Sequence, residues 1–311
     1  MNAPRRPLPM LRVGGFRALW AALWAVSVGL GAGRAEACAA CDSGDPTLTA
    51  LGTEQPFAGR LRSALALRYR TDAIGVPGVD RSNIRELRAD LSSAWAPSEG
   101  WFIVANLPFI YRRVSDDSLA ESEVWGLGDA ELDAKWFAWQ DRAFAPRQVL
   151  ALLGGVELPT GAWQKDASGE YLPLEVQPGS GSLDLVLGAS LTAFWGPVSG
   201  WLSLRWLQPL LVRDALQPGS ALWTSLALQH QVTNWLALRL GSELRWDQQS
   251  EEAGQPDPNS GGTILFGSGD LGWSPGADLT LWLGLRLPLV NALHGAHDEG
   301  ASVSLVVARD W

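Results

Sequence analysis

From Phe57 to Asp72 the chain alternates for sixteen residues without a break, and no other feature limits its possible folds so sharply. Phe57, Gly59, Leu61, Ser63, Leu65, Leu67, Tyr69 and Thr71 fall on one face. Ala58, Arg60, Arg62, Ala64, Ala66, Arg68, Arg70 and Asp72 fall on the other. Successive side chains of a strand point to opposite sides, whereas a helix would scatter the four arginines around its circumference. The run also exceeds the roughly 3–10 residues usual for strands of globular proteins. An apolar face and an arginine face of that length predict an all-β fold, a transmembrane antiparallel up-and-down β-barrel with lipid outside and a wet interior.

The same alternation recurs along the chain. Residues 85–96 set Leu87, Ala89, Leu91, Ser93 and Trp95 opposite Glu86, Arg88 and Asp90; residues 101–112 set Trp101 to Tyr111 against Asn106 and Arg112. In 125–139, Ala130, Leu132, Ala134 and Trp136 oppose Asp129, Glu131, Asp133 and Lys135. Further segments span 148–160, 181–195, 201–210, 220–232, 235–247, 262–273, 278–289 and 301–311, which makes about twelve strands, an even number as single-chain bacterial barrels require. The connections alternate between short (97–100, 140–147, 196–200, 233–234, 274–277) and longer (73–84, 113–124, 161–180, 211–219, 248–261, 290–300). Outer-membrane barrels carry short turns on the periplasmic side and long loops outside, so both termini are expected in the periplasm.

Seventeen Trp against three Tyr and eight Phe is an unusual aromatic balance, and the positions matter more than the number. Trp95, Trp101, Trp136, Trp139, Trp195, Trp201, Trp235, Trp273 and the terminal Trp311 all stand beside short turns, as an aromatic girdle at the periplasmic interface would. The final strand ends on Trp311 with Val303, Leu305 and Val307 on one face, a pattern similar to the C-terminal signal recognised by the outer-membrane assembly machinery; Arg309 departs from it.

The beginning of the chain agrees with export. Arg5, Arg6, Arg12 and Arg17 precede an apolar run from Ala18 to Gly33, and Ala35-Glu36-Ala37 supplies a small-x-small cleavage pattern before Cys38. Residues 1–37 are therefore expected to be a cleaved signal peptide, 38–56 a periplasmic N-terminal segment, and 57–311 the barrel. Cleavage removes five arginines and Glu36 from 24 basic and 33 acidic residues and leaves 19 and 32, a net charge of −13 that disfavours nucleic acid as a partner. Cys38 and Cys41, the only cysteines, form a C-x-x-C followed by Asp42, so a haem attachment site is absent and a local disulfide or a metal ion is the alternative. His294-x-x-His297 with Asp298 and Glu299 is a second metal candidate. Gly267-Ser268-Gly269-Asp270-Leu271-Gly272 fits G-x-G-x-x-G, but it lies inside a strand pattern with no helix after it and carries no nucleotide-binding expectation. No cofactor is expected. With three histidines, His230, His294 and His297, and no serine paired with one, no enzyme activity is expected either.

Several short motifs resemble an outer-membrane transporter-like β-barrel family associated with the meta pathway of phenol degradation. They are Asn106-Leu107-Pro108 before Phe109, Gly126-Leu127-Gly128-Asp129, Glu157-Leu158-Pro159-Thr160-Gly161, and Gly179-Ser180-Gly181-Ser182-Leu183-Asp184. The resemblance covers residues 57–311 and implies a barrel that moves small, often hydrophobic compounds; it supplies no binding residues.

The residues themselves nominate a lumen lining. Arg60, Arg62, Arg68 and Arg70 neighbour Glu86, Arg88 and Asp90, with Arg112 beyond. Asp129, Glu131, Asp133, Glu157 and Asp184 form an acidic run; Arg205, Arg239, Glu243, Arg245, Asp270 and Arg286 complete the circuit. Two outcomes are open at this stage: a charged eyelet that passes a small solute, or a lattice of ion pairs that plugs the barrel. The other expected partner is outer-membrane lipid.

Overall fold

In the computed structural model, residues 58–311 are described except for 80, 117–120, 144, 166–168, 170, 173–175, 213–215, 253 and 277. The expected signal peptide, the N-terminal segment and the pair Cys38 and Cys41 lie outside the described residues. No described helix is long and apolar enough to cross a membrane; the crossing is made by strands.

Alternation of the kind seen in Phe57–Asp72 leaves each strand with two unlike faces, and closure into a barrel satisfies both while leaving no hydrogen-bonding edge. The wall strands are β1 (Leu61–Ile74), β2 (Ser82–Ser98), β3 (Trp101–Asp116), β4 (Glu121–Leu127), β5 (Ala130–Gln140), β6 (Gln148–Leu158), β7 (Leu183–Trp195) and β8 (Val198–Leu211). They continue with β10 (Ala221–Thr233), β11 (Leu236–Asp247), β14 (Gly262–Trp273), β15 (Leu279–Leu293) and β16 (His297–Asp310). Except for β4 and β5, which do not pair with each other, each pairs antiparallel with its sequence neighbours in the wall. β1 pairs with both β2 and β16, so the sheet closes on itself. β4 and β5 both pair with β3 and together form one interrupted staff, giving a closed barrel of twelve staves. Two-residue strands β9 (Leu216–Gln217), β12 (Glu251–Glu252) and β13 (Gln255–Pro256) form a small separate sheet in the loops at one end.

The interruption between β4 and β5 has a local cause. Two residues, Leu107 and Pro108, separate the β3 positions paired with Leu127 and Glu131, while three residues separate Leu127 from Glu131 on the other strand. The extra residue is a β-bulge. Pro108 has no amide hydrogen to give the ladder, and its carbonyl accepts from the Gly128 amide at 2.9 Å. A Cβ on Gly128 would sit 2.9 Å from the Pro108 ring, so the residue must be glycine for the strands to approach there. The bulge shifts the phase by one: Val124, Gly126 and Gly128 are buried, and then Asp129, Glu131 and Asp133.

Burial follows the predicted faces. On β1, Leu61, Leu65, Leu67 and Tyr69 are exposed, whereas Arg62, Ala64, Arg70 and Asp72 are buried. The exposed set continues around the wall through Leu87, Leu91, Phe109, Leu132, Leu204, Leu240, Leu283 and Leu305. A closed sheet that is apolar outside and charged inside is an outer-membrane β-barrel, and this places the chain in the bacterial outer membrane.

Three expectations need correction. Trp201, grouped with the tryptophans beside the short turns, is 4% exposed and faces inward, while Trp95, Trp136, Trp195, Trp235, Trp273 and Trp311 are exposed. Its parity settles this, since it shares a face with Ser203 and Arg205. The outer connection expected over 290–300 contracts to residues 294–296, because β15 runs on to Leu293 and β16 begins at His297. Beyond the lipid a strand needs no apolar face, so its continuation reads as loop. The loop expected over 161–180 is partly internal, as described below. Arg309, the departure in the last strand, is exposed and places its guanidinium 4.3 Å from the centre of the Trp311 ring.

A neighbouring pair of glycines tests the packing between β5 and β6. A Cβ on Gly155 would lie 1.8 Å from the Asp133 carboxylate and 2.5 Å from the Leu132 carbonyl, whereas a Cβ on Gly154 meets nothing within 4 Å. Gly155→Ala is expected to cost about 1–3 kcal/mol as overpacking and to lower the temperature at which the folded band is lost in detergent gels. Gly154→Ala should leave that temperature unchanged. Equal behaviour of the two variants would contradict the close approach.

Candidate functional site

The interior is built from the inward residue of each pair around the wall. Arg60, Arg62, Arg70, Arg88, Arg112, Asp129, Glu131, Asp133, Lys135, Asp184, Arg205, Arg239 and Arg245 are buried; Arg68, Asp90, Glu157, Glu243, Asp270 and Arg286 are half-buried. None of the nominated residues lies on the lipid side.

Charges that far from bulk water must be met by partners, and the partners decide the shape of the lumen. On β1 they are local. Arg60 donates to Asp310 at 2.9–3.0 Å, and Arg62 stands 3.8 Å from the same carboxylate. Arg70 bridges Glu86 at 3.0 Å and Asp72 at 3.3 Å. Glu86 also receives the Arg112 guanidinium at 2.6 Å, and Arg88 meets Asp90 at 2.8 Å. Arg60, Arg62 and Arg70 therefore meet acids on the same or an adjacent strand.

Longer ties come from the other wall. Arg205 on β8 reaches Glu131 on β5, over β6 and β7. Arg245 on β11 reaches Glu299 on β16, over β14 and β15, and also holds Asp247 at 2.7 Å. Arg286 on β15 bonds Glu243 on β11 at 2.6 Å, across β14. These cords run over the inner face of the intervening strands.

Aromatic rings share the inner wall with the arginines. Trp201, Trp223, Trp282, Phe266 and Phe102 are all buried. The Arg239 guanidinium lies 3.8 Å from the centre of the Trp282 ring and 5.0 Å from that of Trp201. Arg286 sits 3.5 Å above Phe266. Stacking of this kind holds a guanidinium flat while leaving its edge to form hydrogen bonds.

The third outer connection supplies the part of the site that no single motif foretold. Its residues Gln177 to Ser182 lie against the inner wall, with Gln177 and Ser182 fully buried. Asp129 ties both ends of the connection: its carboxylate accepts from the Gly161 amide at 2.8 Å, the Ser180 amide at 2.5 Å and the Ser180 hydroxyl at 2.8 Å. The Arg112 guanidinium donates to the Gln177 carbonyl at 2.5 Å. The Gln177 side chain in turn closes the connection on itself, accepting from the Gln164 amide at 2.8 Å and donating to the Leu172 carbonyl at 2.9 Å. Thr160 accepts from the Ala130 amide at 2.8 Å and donates to the Gly128 carbonyl at 3.1 Å. Ser182 donates to Asp184 at 2.5 Å. The Gly126–Asp129, Glu157–Gly161 and Gly179–Asp184 motifs thus meet at one place: the bulge aims Asp129 at the loop that the other two motifs bound.

Several interior residues were absent from the nominated set. Asp72 was visible on the arginine face, whereas Glu299, Gln177 and Ser180 sit in stretches that read as loop. The histidines do not converge. His230 is exposed on the outward face of β10, His294 places Nδ1 3.2 Å from the Ser260 carbonyl, and His297 is buried. Among the described residues no group of three or more His, Cys, Asp and Glu could hold a metal ion. The G-x-G-x-x-G match lies within β14.

No protein-family model matches the chain, and no curated protein does. Among solved structures, an outer-membrane channel from Pseudomonas putida F1 superposes with a TM-score of 0.67 at 14% identity, over 86% of this chain and 100% of that one. Two more distant barrels are the translocator domain of the autotransporter NalP from Neisseria meningitidis, with a TM-score of 0.46 at 11% identity over 94% of this chain and 95% of that one, and the P. putida toluene transporter TodX, with a TM-score of 0.43 at 8% identity over 86% of this chain and 98% of that one. At such identities the likeness is one of architecture.

Proposed function

We propose that this barrel is a narrow outer-membrane channel for passive passage of a small solute, with the inward segment Gln177–Ser182 as its constriction. The observation that carries this reading is the attachment of that segment. It is held to the wall by hydrogen bonds to the Asp129 carboxylate and from the Arg112 guanidinium, an arrangement that can be released without breaking the ladder. The guanidinium groups of Arg239 and Arg286, stacked on Trp282 and Phe266, favour a hydrophobic or aromatic compound, of the kind the family resemblance implies. No bond of the solute is made or broken on this reading, so the protein acts as a conduit and not as an enzyme.

A second reading is a plugged structural barrel, favoured by the cords Arg205–Glu131 and Arg245–Glu299 over the inner face of the wall. Planar bilayers separate the two. In a conducting barrel the β1 arginines attract anions, and replacing Arg62 and Arg68 with Ala should shift the reversal potential toward that of the cation. No current from either protein, with both correctly folded, would remove the open channel. Liposome swelling with aromatic and ionic solutes then ranks the solutes.

A further inference from the structure

The register places the outward residues of β16, β1, β2 and β3 in level rows, and the character of the rows changes abruptly near the loop end. Val303, Tyr69, Leu87 and Tyr111 form one row. The next row toward the loops contains Thr71, Arg85 and Arg113, and the one after it Asp298, Ala73, Asn83 and Ser115. An apolar row with two tyrosines followed by a row with two arginines marks the outer limit of the hydrocarbon.

At that limit the wall is hollowed. A cleft of about 410 Å³ opens there, walled by Arg81 and Arg85 and lined by Thr71, Asn83, Ser115 and Asp298. Ala73 and Gly300 at its base supply little side chain to fill it. Arg113 beside it is engaged with Glu121 at 3.6 Å and Glu123 at 3.3 Å. The lining has two acids: Asp72, buried on the inward face and 3.3 Å from Arg70, and Asp298, exposed on the outward face, which accepts from Asn291 at 3.3 Å. On the outward face the lining thus sets the guanidinium groups of Arg81 and Arg85 against the single carboxylate of Asp298.

We propose that this cleft binds the phosphorylated saccharide headgroup of an outer-leaflet glycolipid, whose acyl chains lie along the Val303–Tyr69–Leu87–Tyr111 row. Guanidinium groups suit phosphate because their planar fork presents paired donors. Thr71, Asn83 and Ser115 offer donors and acceptors to sugar hydroxyls. Continuity with the apolar row commits the site to a membrane lipid rather than to a soluble anion: a ligand held by both surfaces must carry phosphate and acyl chains together. This site is independent of the lumen and of any transport through it.

The test uses the mature protein folded in detergent and native mass spectrometry. The probes are a bisphosphorylated acylated disaccharide, the same lipid with its phosphates removed, and inorganic phosphate. The protein is expected to retain the phosphorylated lipid at least tenfold better than the dephosphorylated one, and millimolar inorganic phosphate should not displace it. Arg81→Ala with Arg85→Ala should abolish the preference, and Arg142→Ala, in the turn at the opposite end, should keep it. Ser115→Trp fills the cleft without altering either arginine and should also lose the lipid, which guards against misfolding of the double variant. Equal retention of the two lipids, or an unchanged preference in the Arg81/Arg85 variant or in Ser115→Trp, overturns the proposal; displacement by inorganic phosphate alone overturns the assignment to a lipid.

Discussion

Arg245→Ala should destabilise the barrel by about 3–5 kcal/mol, the cost of leaving buried charge without its counter-charge. Arg245 is wholly buried and is shared between Asp247 and Glu299, with Nη1 3.3 Å from Glu299 and Nε 2.7 Å from Asp247. Its removal takes the nearest cation from two buried carboxylates, leaves Glu299 with Arg70 at 4.0 Å, and cuts the cord that ties β11 to β16. Glu299→Gln should cost less, because Arg245 keeps Asp247 and the amide still accepts a hydrogen bond. The measurement is the urea midpoint of unfolding from lipid vesicles, followed by tryptophan fluorescence and by the gel shift of the heated protein. A loss below about 1 kcal/mol for Arg245→Ala, the range of an exposed pair, would mean that the cord contributes no structural tie.

Asp129→Ala is expected to open a current where the parent shows little. The residue accepts two hydrogen bonds from the internal segment and a third from Gly161 at the start of the same connection, and bonds to a charged acceptor are each worth about 1.5–3 kcal/mol. Losing all three while the strands stay paired should shift the segment from mostly docked to mostly free. Single-channel conductance should rise and liposome swelling should quicken, with the gel shift of the folded protein unchanged. Ser180→Ala removes the hydroxyl bond but leaves both backbone amides on Asp129, so its effect should fall between those of the parent and Asp129→Ala. Identical conductance in all three proteins, each correctly folded, would show that the segment does not limit passage.

The expectations from alternation and those from loop length fared differently for a physical reason. In a barrel wall the period of two is imposed on every residue by the lipid on one side, so it is written into the residues one by one. The strand bounds of 85–96 and 262–273 could accordingly be read within a few positions of β2 and β14. Beyond the hydrocarbon that pressure ends. Residues 290–300 therefore resembled a loop although Leu293 and His297 bound strands, and Glu299, a metal candidate in that reading, is buried on the inner wall. Trp201 stands beside a turn, as the outward tryptophans do, but its parity with Arg205 assigns it to the interior.

Sequence by itself determined that this chain forms a barrel and its number of staves, because both follow from local alternation. Which charge meets which, and that a nominal outer loop returns into the lumen, were decided only by the closed wall. Arg205 and Glu131 are 74 positions apart, and Arg245 and Glu299 are 54 apart. Such pairs share a lumen only after closure has brought separate staves face to face, and Asp129 finds Ser180, 51 positions away, only because one extra residue in the strand turns its carboxylate to the place where the loop comes down.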